Sequence, residues 1–182
     1  MKKFLIFLTF SLAAGLTLAQ QKLLPAQSDI SFSIKQMGVP VDGKFTKFDA
    51  QVAFDPKKPE TGKIAFTIDL NSAVVGDAET VKELKKPEWF SILKFPTATF
   101  TSTSIKATGA SKFEVSGNLS IKGVTKTLVV PVALTKSGTT TIADGSFAIK
   151  RGDFKIGEGD WSDFSIVAND VQVKFKLGLL GL

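Results

Sequence analysis

The sequence predicts an all-β protein of eight antiparallel strands with one short helix, and three observations support this prediction. Apolar and polar residues alternate along several stretches, as they do in strands that bury one face. Turns that contain glycine or proline separate these stretches, and only one segment carries helix signals. Such strands can bury their apolar faces by closing into a barrel or by stacking as a sandwich, and the alternation alone leaves both open.

The strands are recognised by apolar residues at every second position, as at Ile30, Phe32 and Ile34. The segment 126–136 is less regular. Pro131 within it predicts an edge position or a bulge, because proline cannot donate to a strand ladder. The eight strands are predicted near residues 30–34, 48–54, 64–70, 97–104, 113–121, 126–136, 140–150 and 171–177.

The one helix is predicted from about Ala78 to Lys86. Asp77 is a suitable N-cap, because its carboxylate can accept hydrogen bonds from the free backbone N–H groups of the first turn. Glu79 lies near the positive end of the helix dipole, which favours a negative charge there. Pro87 follows directly and ends the helix.

Residues 1–19 have the pattern of a secretory signal peptide. Lys2 and Lys3 precede an apolar run over residues 4–18, and small residues near Ala19 suit cleavage before Gln20. The alternative is a retained membrane anchor, for which the run of about 15 residues is short. We therefore expect a soluble protein of the bacterial periplasm, with residues 20–182 forming a single domain that is stabilised by packing, since the chain has no cysteine.

The composition argues against most catalytic chemistry, because the chain contains neither histidine nor cysteine. His-dependent triads, cysteine nucleophiles and the usual zinc and haem sites all lack their residues, so we expect no enzyme activity, no cofactor and no metal. The remaining candidates are carboxylates at Asp153, Glu158, Asp160 and Asp163. They could bind a hard cation or act as acid and base, but a solvated acidic loop is the favoured interpretation.

The charge balance argues against a nucleic-acid partner. Without residues 1–19 the chain has 21 basic and 17 acidic residues, a net charge of +4, since two of the 23 basic residues are Lys2 and Lys3. The lysines are scattered along alternating strand positions, whereas a nucleic-acid surface needs them clustered. A weak, transient attraction to anionic lipid headgroups remains compatible with this charge.

An aromatic cluster follows the predicted helix and lies outside the strand alternation. Trp89, Phe90 and Phe95 could form a flap across one end of a barrel, or a small hydrophobic core that pins the helix. Trp161 and Phe164 are candidates for the same region. The sequence leaves the two interpretations open, and one residue could serve both.

Four segments together resemble proteins of the YceI-like family. Residues 117–126, GNLSIKGVTK, resemble the family's G-D-L-T-I-x-G-V-T-K turn, and residues 151–157, RGDFKIG, resemble its R-x-D-F-G-I segment. Residues 54–56 match its F-D-P. Residues 87–100 resemble its F-F-D-x-x-x-Y-P-x-x-x-F. The order and spacing of these segments agree from about Leu24 to Leu177.

Two departures from the family pattern concern histidines. Many members carry a histidine in the first turn, where this chain has residues 35–38, KQMG. Many also carry an acidic residue and a histidine in the helical segment, where this chain has Glu79 and no histidine. At both places this chain lacks the histidine of the family pattern.

The resemblance implies a lipocalin-like barrel with a long apolar tunnel that binds polyisoprenoid chains, such as quinone tails. The headgroup of such a lipid would lie near the tunnel mouth, where Lys35, Gln36 or Asp77 could contact it. Each aromatic residue taken singly could equally be ordinary core. The residues predicted to line the tunnel or its mouth are Phe32, Ile34, Phe54, Phe66, Ile68, Trp89, Phe90, Phe95, Phe100, Trp161, Phe164 and Phe175.

The sequence thus favours a non-enzymatic carrier or store for an isoprenoid or other long-chain apolar lipid. One alternative is an enzyme that acts on such a lipid through the acidic loop. Another is an envelope stress-response protein whose barrel is only a scaffold for interactions. Val129 and Ala133 would suit the edge of a homodimer under any of these, and Arg151 with Asp153 would form a structural ion pair.

Overall fold

The computed structural model describes residues 20–182, so the predicted signal peptide lies outside the described residues. These residues form ten antiparallel strands, one α-helix and four short 3₁₀ turns. The elements are β1 (Gln20–Gln36), β2 (Val39–Phe45), β3 (Phe48–Ala53), β4 (Lys63–Asp69), β5 (Ala73–Val75), α1 (Ala78–Leu84), β6 (Thr97–Gly109), β7 (Lys112–Ile121), β8 (Val124–Ser137), β9 (Thr140–Lys150) and β10 (Val167–Leu180).

Eight of the ten strands close into a barrel. The ring runs β1-β3-β4-β6-β7-β8-β9-β10 and closes where β10 pairs with β1. That last pairing extends from Lys22 opposite Leu180 to Gln36 opposite Val167. The predicted eight-stranded antiparallel barrel with one short helix is therefore confirmed, and the sandwich alternative is wrong.

Strands β2 and β5 lie beside the ring and were not predicted. At the start of β1, Gln20 and Gln21 pair with β3, whereas residues 30–36 pair with β2. Strand β2 then pairs with β5. Pro40 and Gly43 hide the alternation of β2 in the sequence, and β5 has only three residues. The two ends of the barrel wall are therefore built differently.

The interruption predicted around Pro131 marks a change in strand pairing. Strand β8 pairs with β7 from Val124 to Ala133, and Pro131 lies opposite Glu114. Its pairing with β9 covers only residues 133–137. A proline has no N–H for a ladder on its second side. The break in pairing therefore coincides with the residue that predicted it.

The predicted helix is confirmed as α1. The Asp77 carboxylate accepts a hydrogen bond from the backbone N–H of Thr80 at 2.8 Å, and this bond lowers the pKa of Asp77. Leu84 packs against a buried cluster that includes Leu70 and Phe154. The helix therefore packs on the end of the barrel that β2 and β5 extend.

Candidate ligand-binding site

The barrel lumen contains two adjoining chambers. The inner chamber has a volume of about 130 Å³ and every residue that lines it is apolar. The outer chamber has a volume of about 410 Å³ and reaches the underside of α1. Five residues line both chambers and form the constriction between them: Ile30, Ile68, Leu119, Phe147 and Val173.

The inner chamber lies at the end of the barrel where β1 pairs with β3. Phe54 and Phe113 meet edge to face in its wall, with ring centroids 5.1 Å apart. Beside it, the buried amide of Gln21 accepts a hydrogen bond from the backbone N–H of Phe54 and donates one to the carbonyl of Gly181. These bonds join the start of β1 to the residue after β3 and to the residue after β10 at this end of the barrel.

The outer chamber carries the polar groups of the lumen. Among its lining residues, Gln36, Glu79 and Thr80 are exposed. They belong to the end of β1 and to the first turns of α1. Because these three residues both line the chamber and reach solvent, we place the mouth between β1 and α1.

Three phenylalanines of the chamber walls lie against glycines on neighbouring strands. A Cβ built on Gly43 would lie 2.3 Å from Phe32, and one on Gly117 would lie 2.3 Å from Phe100. In the same way, a Cβ on Gly145 would lie 2.6 Å from Phe175. The missing side chains let the rings lie flat on the wall, as aromatic residues do over strand glycines. This arrangement keeps the lumen open, because the rings do not have to project into it.

Arg151 holds the loop beside the outer chamber through main-chain hydrogen bonds. The side chain is 1% exposed and its guanidinium lies between the rings of Trp89 and Phe164, at 5.7 and 4.9 Å from their centroids. Burial lowers the pKa of Arg151. The guanidinium donates to the carbonyl oxygens of Ile156, Gly157, Trp161, Val167 and Ala168 at 2.6–3.1 Å.

The predicted ion pair between Arg151 and Asp153 is wrong. All five guanidinium N–H groups are directed at carbonyls, and the ion pairs among residues 20–182 do not include Arg151. Gly157 permits the close approach, because a Cβ there would lie 2.1 Å from Arg151 Nη1. The RGD sequence at residues 151–153 is therefore part of a structural turn in which Asp153 is exposed.

Lys122 joins the two loops that cover the outer chamber. Its ammonium donates hydrogen bonds to the carbonyl oxygens of Glu88 and Lys155, at 3.3 and 2.6 Å. It also pairs with the Glu158 carboxylate at 2.9 Å, which lowers the pKa of Glu158. The carbonyl of Glu88 in addition accepts from the backbone N–H groups of Gly157 and Glu158. The loop after α1 and the loop after β9 are thus fixed to each other.

These contacts also account for the acidic loop. Asp153, Glu158, Asp160 and Asp163 are all exposed, and Asp163 accepts a hydrogen bond from the backbone N–H of Ser165. Within residues 20–182, no group of three or more carboxylates is placed to hold a metal ion. The geometry therefore favours the interpretation of these residues as a solvated loop.

Trp89 and Phe90 combine the two roles that the sequence left open. Both are buried, both line the outer chamber, and both belong to the buried cluster that includes Leu70 and Phe154. Trp89 lies 5.5 Å from Trp161 between ring centroids, and Trp161 Nε1 donates to Glu83. The Trp89 indole N–H is buried and finds no acceptor among residues 20–182. The pair is a chamber wall and a small core at once.

The structure places ten of the twelve predicted site residues around the lumen. Phe95 and Phe164 are the exceptions, because neither lines a chamber. Phe95 packs against Gly123 in the turn between β7 and β8, and Phe164 is 48% exposed on the outer side of Arg151. The ten that line a chamber are Phe32, Ile34, Phe54, Phe66, Ile68, Trp89, Phe90, Phe100, Trp161 and Phe175.

The residues predicted near a headgroup have different positions. Gln36 lines the mouth of the outer chamber. Lys35 is exposed and Asp77 is occupied as the helix cap, and neither lines a chamber. Sequence reasoning missed Arg151 as a wall residue, together with the constriction residues Leu119 and Val173. The signal for Leu119 and Val173 was weak, because an apolar residue on the inner face of a strand looks the same in the sequence whether it borders a cavity or fills a core.

A closed eight-stranded barrel with a mostly apolar lumen is the architecture of small barrels that hold one ligand, such as the lipocalins. Comparison with known proteins agrees with this class. The sequence model of the YceI-like domain matches residues 22–179, and the chain belongs to this family.

Relatives match over most of the chain. Protein YceI from Salmonella agona (strain SL483) is 33% identical over 177 residues, which cover 93% of this chain and 90% of the relative. The crystal structure of BcnA from Burkholderia cenocepacia is 43% identical, with a TM-score of 0.83 over 86% of this chain and 99% of the other.

A more distant neighbour shares the fold alone. The polyisoprenoid binding domain from Saccharophagus degradans, implicated in plant cell wall breakdown, has a TM-score of 0.71 and 18% identity. It covers 90% of this chain and 98% of its own. Within residues 20–182, no helix combines the length and apolar character needed to cross a membrane.

Proposed function

We propose that this protein binds an isoprenoid-type apolar lipid in the barrel lumen, as a carrier or store and without catalysing a reaction. The observation that carries the proposal is the pair of adjoining chambers, one of them lined entirely by apolar residues. A chain could enter at the polar mouth and extend through the constriction. The description of the Saccharophagus degradans domain as polyisoprenoid binding supports the same ligand class.

The energy of such binding comes from buried hydrocarbon. Each buried methylene contributes about 0.8 kcal/mol, so a few isoprene units contribute several kcal/mol before the cost of ordering the chain. The aromatic and aliphatic wall supplies this without a polar anchor. Selectivity would then follow from the length and shape of the ligand.

The state of the polar groups around the outer chamber supports a role in binding over one in catalysis. The donors of Arg151 are used by main-chain carbonyls. Glu79 is paired with Lys82 of the same helix and Glu83 with Lys86, two residues after the end of the helix, each at 2.6 Å. A carboxylate held in this way is poorly placed to act as a free acid or base. The pattern of residues 1–19 supports export to the periplasm as a soluble protein.

The proposal is tested by purifying the protein without detergent from its own host and analysing a solvent extract by mass spectrometry. We expect about one isoprenoid lipid per protein, from the single lumen. A matched pair of variants locates it: Phe90→Ala removes a ring from the outer chamber, whereas Phe95→Ala removes one from the same segment outside it. Loss of lipid in F90A alone supports the proposal. Lipid-free wild-type protein in repeated preparations would refute it.

A further inference from the structure

Exposed apolar side chains concentrate beside the mouth of the outer chamber. Seven large hydrophobic residues are exposed within residues 20–182. Four of them form what we call the apolar tip: Met37, Val39, Phe164 and Ile166, which are 77, 64, 48 and 40% exposed. This concentration is the feature to be explained, since single exposed apolar residues are normal but clusters of them mark interaction sites.

Main-chain contacts bring the tip together from two parts of the chain. The backbone N–H of Met37 donates to the carbonyl of Ile166 at 2.7 Å. Gln36 pairs with Val39 across the β1–β2 hairpin and with Val167 on β10. The hairpin turn and the end of the loop that Arg151 holds therefore lie side by side, and together they carry the four residues of the tip.

The conformation of Met37 makes its exposure more informative. Its φ is +49°, in the left-handed region that glycine and asparagine adopt at low cost and that other residues enter at a cost. A turn residue that faces water gains nothing from a long apolar side chain. Methionine in this position is consistent with a surface that an apolar partner covers.

The tip borders the opening through which a ligand would pass. Gln36 lines the outer chamber, and Met37 follows it directly in the hairpin. Val167, which follows Ile166, also lines this chamber. Anything that covers the tip therefore also lies at the mouth.

We propose that the apolar tip inserts into the surface of a lipid bilayer, so that the mouth of the outer chamber opens toward the membrane. The inference rests on the proposed function, because an isoprenoid lipid dissolves poorly in water and its source or destination is a bilayer. Docking by the tip would shorten the path that the apolar chain takes through water. The tip adds to the barrel a membrane-contact site formed by Met37, Val39, Phe164 and Ile166.

The size of the tip favours a bilayer over a protein partner. Stable protein interfaces use about 20–30 residues on each side, whereas the tip has four side chains on a hairpin and a loop. A second copy seated there would also cover the mouth. Apolar side chains that project from loop ends match the shallow insertion by which interfacial segments bind membranes.

Charge is not expected to drive this contact. The carboxylates that line the mouth, Glu79 and Glu83, are paired with Lys82 and Lys86. We therefore expect docking on vesicles of zwitterionic phosphatidylcholine, with little dependence on salt. Lys35 beside the tip and the scattered lysines elsewhere would add only a weak attraction to anionic lipid.

The experiment is flotation with phosphatidylcholine vesicles, together with a separate measurement of geranylgeraniol binding by tryptophan fluorescence. The test variant Met37→Asn with Val39→Thr keeps the backbone preferences of both positions, since asparagine tolerates positive φ and threonine is β-branched. The control variant Val129→Thr removes an exposed apolar residue on β8, outside the tip. We expect the test variant to lower vesicle partitioning by about tenfold, with geranylgeraniol binding unchanged.

The outcomes separate the two proposals. If wild-type protein does not bind geranylgeraniol, the proposed function fails. If it binds the lipid but does not float, or if test and control variants float equally, the tip does not dock on membranes. Flotation that requires anionic lipid and disappears in high salt would also overturn the inference. So would a change from dimer to monomer caused only by the test variant, because the tip would then be a contact between copies.

Discussion

The two chambers of the lumen differ in how their ends are closed. The inner chamber ends where β1 completes the ring against β3 and where Gln21 bonds to both ends of the barrel. The outer chamber ends under α1 and two loops. Beside it lies the β1–β2 hairpin, whose second strand is not one of the eight strands of the ring. The inner end is bordered by strand ends, with an interruption of the β1–β10 pairing between Leu24 and Asp29, whereas the outer end is covered by α1 and by loops that a few side chains hold.

This difference suggests which end a ligand uses. The inner chamber offers only apolar residues, whereas the outer chamber also carries the exposed polar residues Gln36, Glu79 and Thr80. An end covered by loops opens when a few contacts shift, and loops commonly carry function on a rigid scaffold. Arg151 and Lys122 hold those loops, so their contacts decide how stable the cover of the outer chamber is.

The largest expected effect comes from Arg151→Ala, which would break the outer end. Five carbonyls would lose their charged donor inside a buried site, so the free energy of unfolding should fall by at least ~3 kcal/mol in urea titrations. The free energy of unfolding of Arg151→Lys should lie between those of wild type and Arg151→Ala, because an ammonium has fewer donors than a guanidinium and lacks its planar arrangement of N–H groups. An alanine variant as stable as wild type would contradict the assignment of Arg151 as the clamp.

A smaller effect is expected when a wall glycine gains a side chain. In Gly43→Ala the new Cβ would lie 2.3 Å from Phe32, so the ring must turn into the outer chamber. We expect a loss of about 1–3 kcal/mol in the free energy of unfolding. Lipid retention should fall as well.

Two comparisons check this explanation. Adding Phe32→Leu to G43A should restore part of the stability, since the clashing ring is gone. Gly109→Ala should be nearly neutral, because its Cβ would meet only Lys112 at 3.8 Å. If G43A and G109A unfold alike, the rings do not depend on the glycines.

The smallest effect concerns the helix over the outer chamber. Hydrogen bonds from Thr80 lower the pKa of Asp77, so this carboxylate stabilises the folded state above its usual titration range. That stabilisation should be lost as the pH falls through the lowered pKa. Hydrogen-exchange protection of the α1 amides should show this loss of stabilisation at low pH. The variant Asp77→Asn should keep a cap at all pH values, whereas Asp77→Ala should lack one at all pH values. Protection in wild type that is equal to D77A at neutral pH would contradict the cap.

The long strands of the barrel wall could be predicted from the sequence better than the loops and short strands at the outer end. Alternation at Ile30, Phe32 and Ile34 is a local signal. It predicted the strand, the face that points inward, and Phe32 and Ile34 as residues of the lumen. Strand β2 was not predicted, because Pro40 and Gly43 interrupt the alternation of apolar and polar residues. Asp77 was recognised because an N-cap acts on residues next to it in the chain.

The features that were not predicted depend on groups distant in the chain or on the main chain. Arg151 was expected to pair with Asp153, but a carbonyl oxygen carries no mark in the sequence that it will accept from a guanidinium. The contact of Phe175 with Gly145 needs the register of β9 and β10. Phe95 and Phe164 are aromatic like the wall residues, but they pack against Gly123 and Arg151 and line neither chamber.

The most direct test of the account is a measurement of ligand length across the constriction. Val173→Trp would fill the passage between the chambers, and Val129→Trp would place the same ring on the outer face of β8 as a control. We predict that V173W lowers the affinity for the long alcohol solanesol by tenfold or more, about 1.4 kcal/mol, and leaves the affinity for short farnesol nearly unchanged. V129W should match wild type for both lipids. If V173W binds solanesol as tightly as wild type, the two chambers do not form one tunnel for an isoprenoid chain.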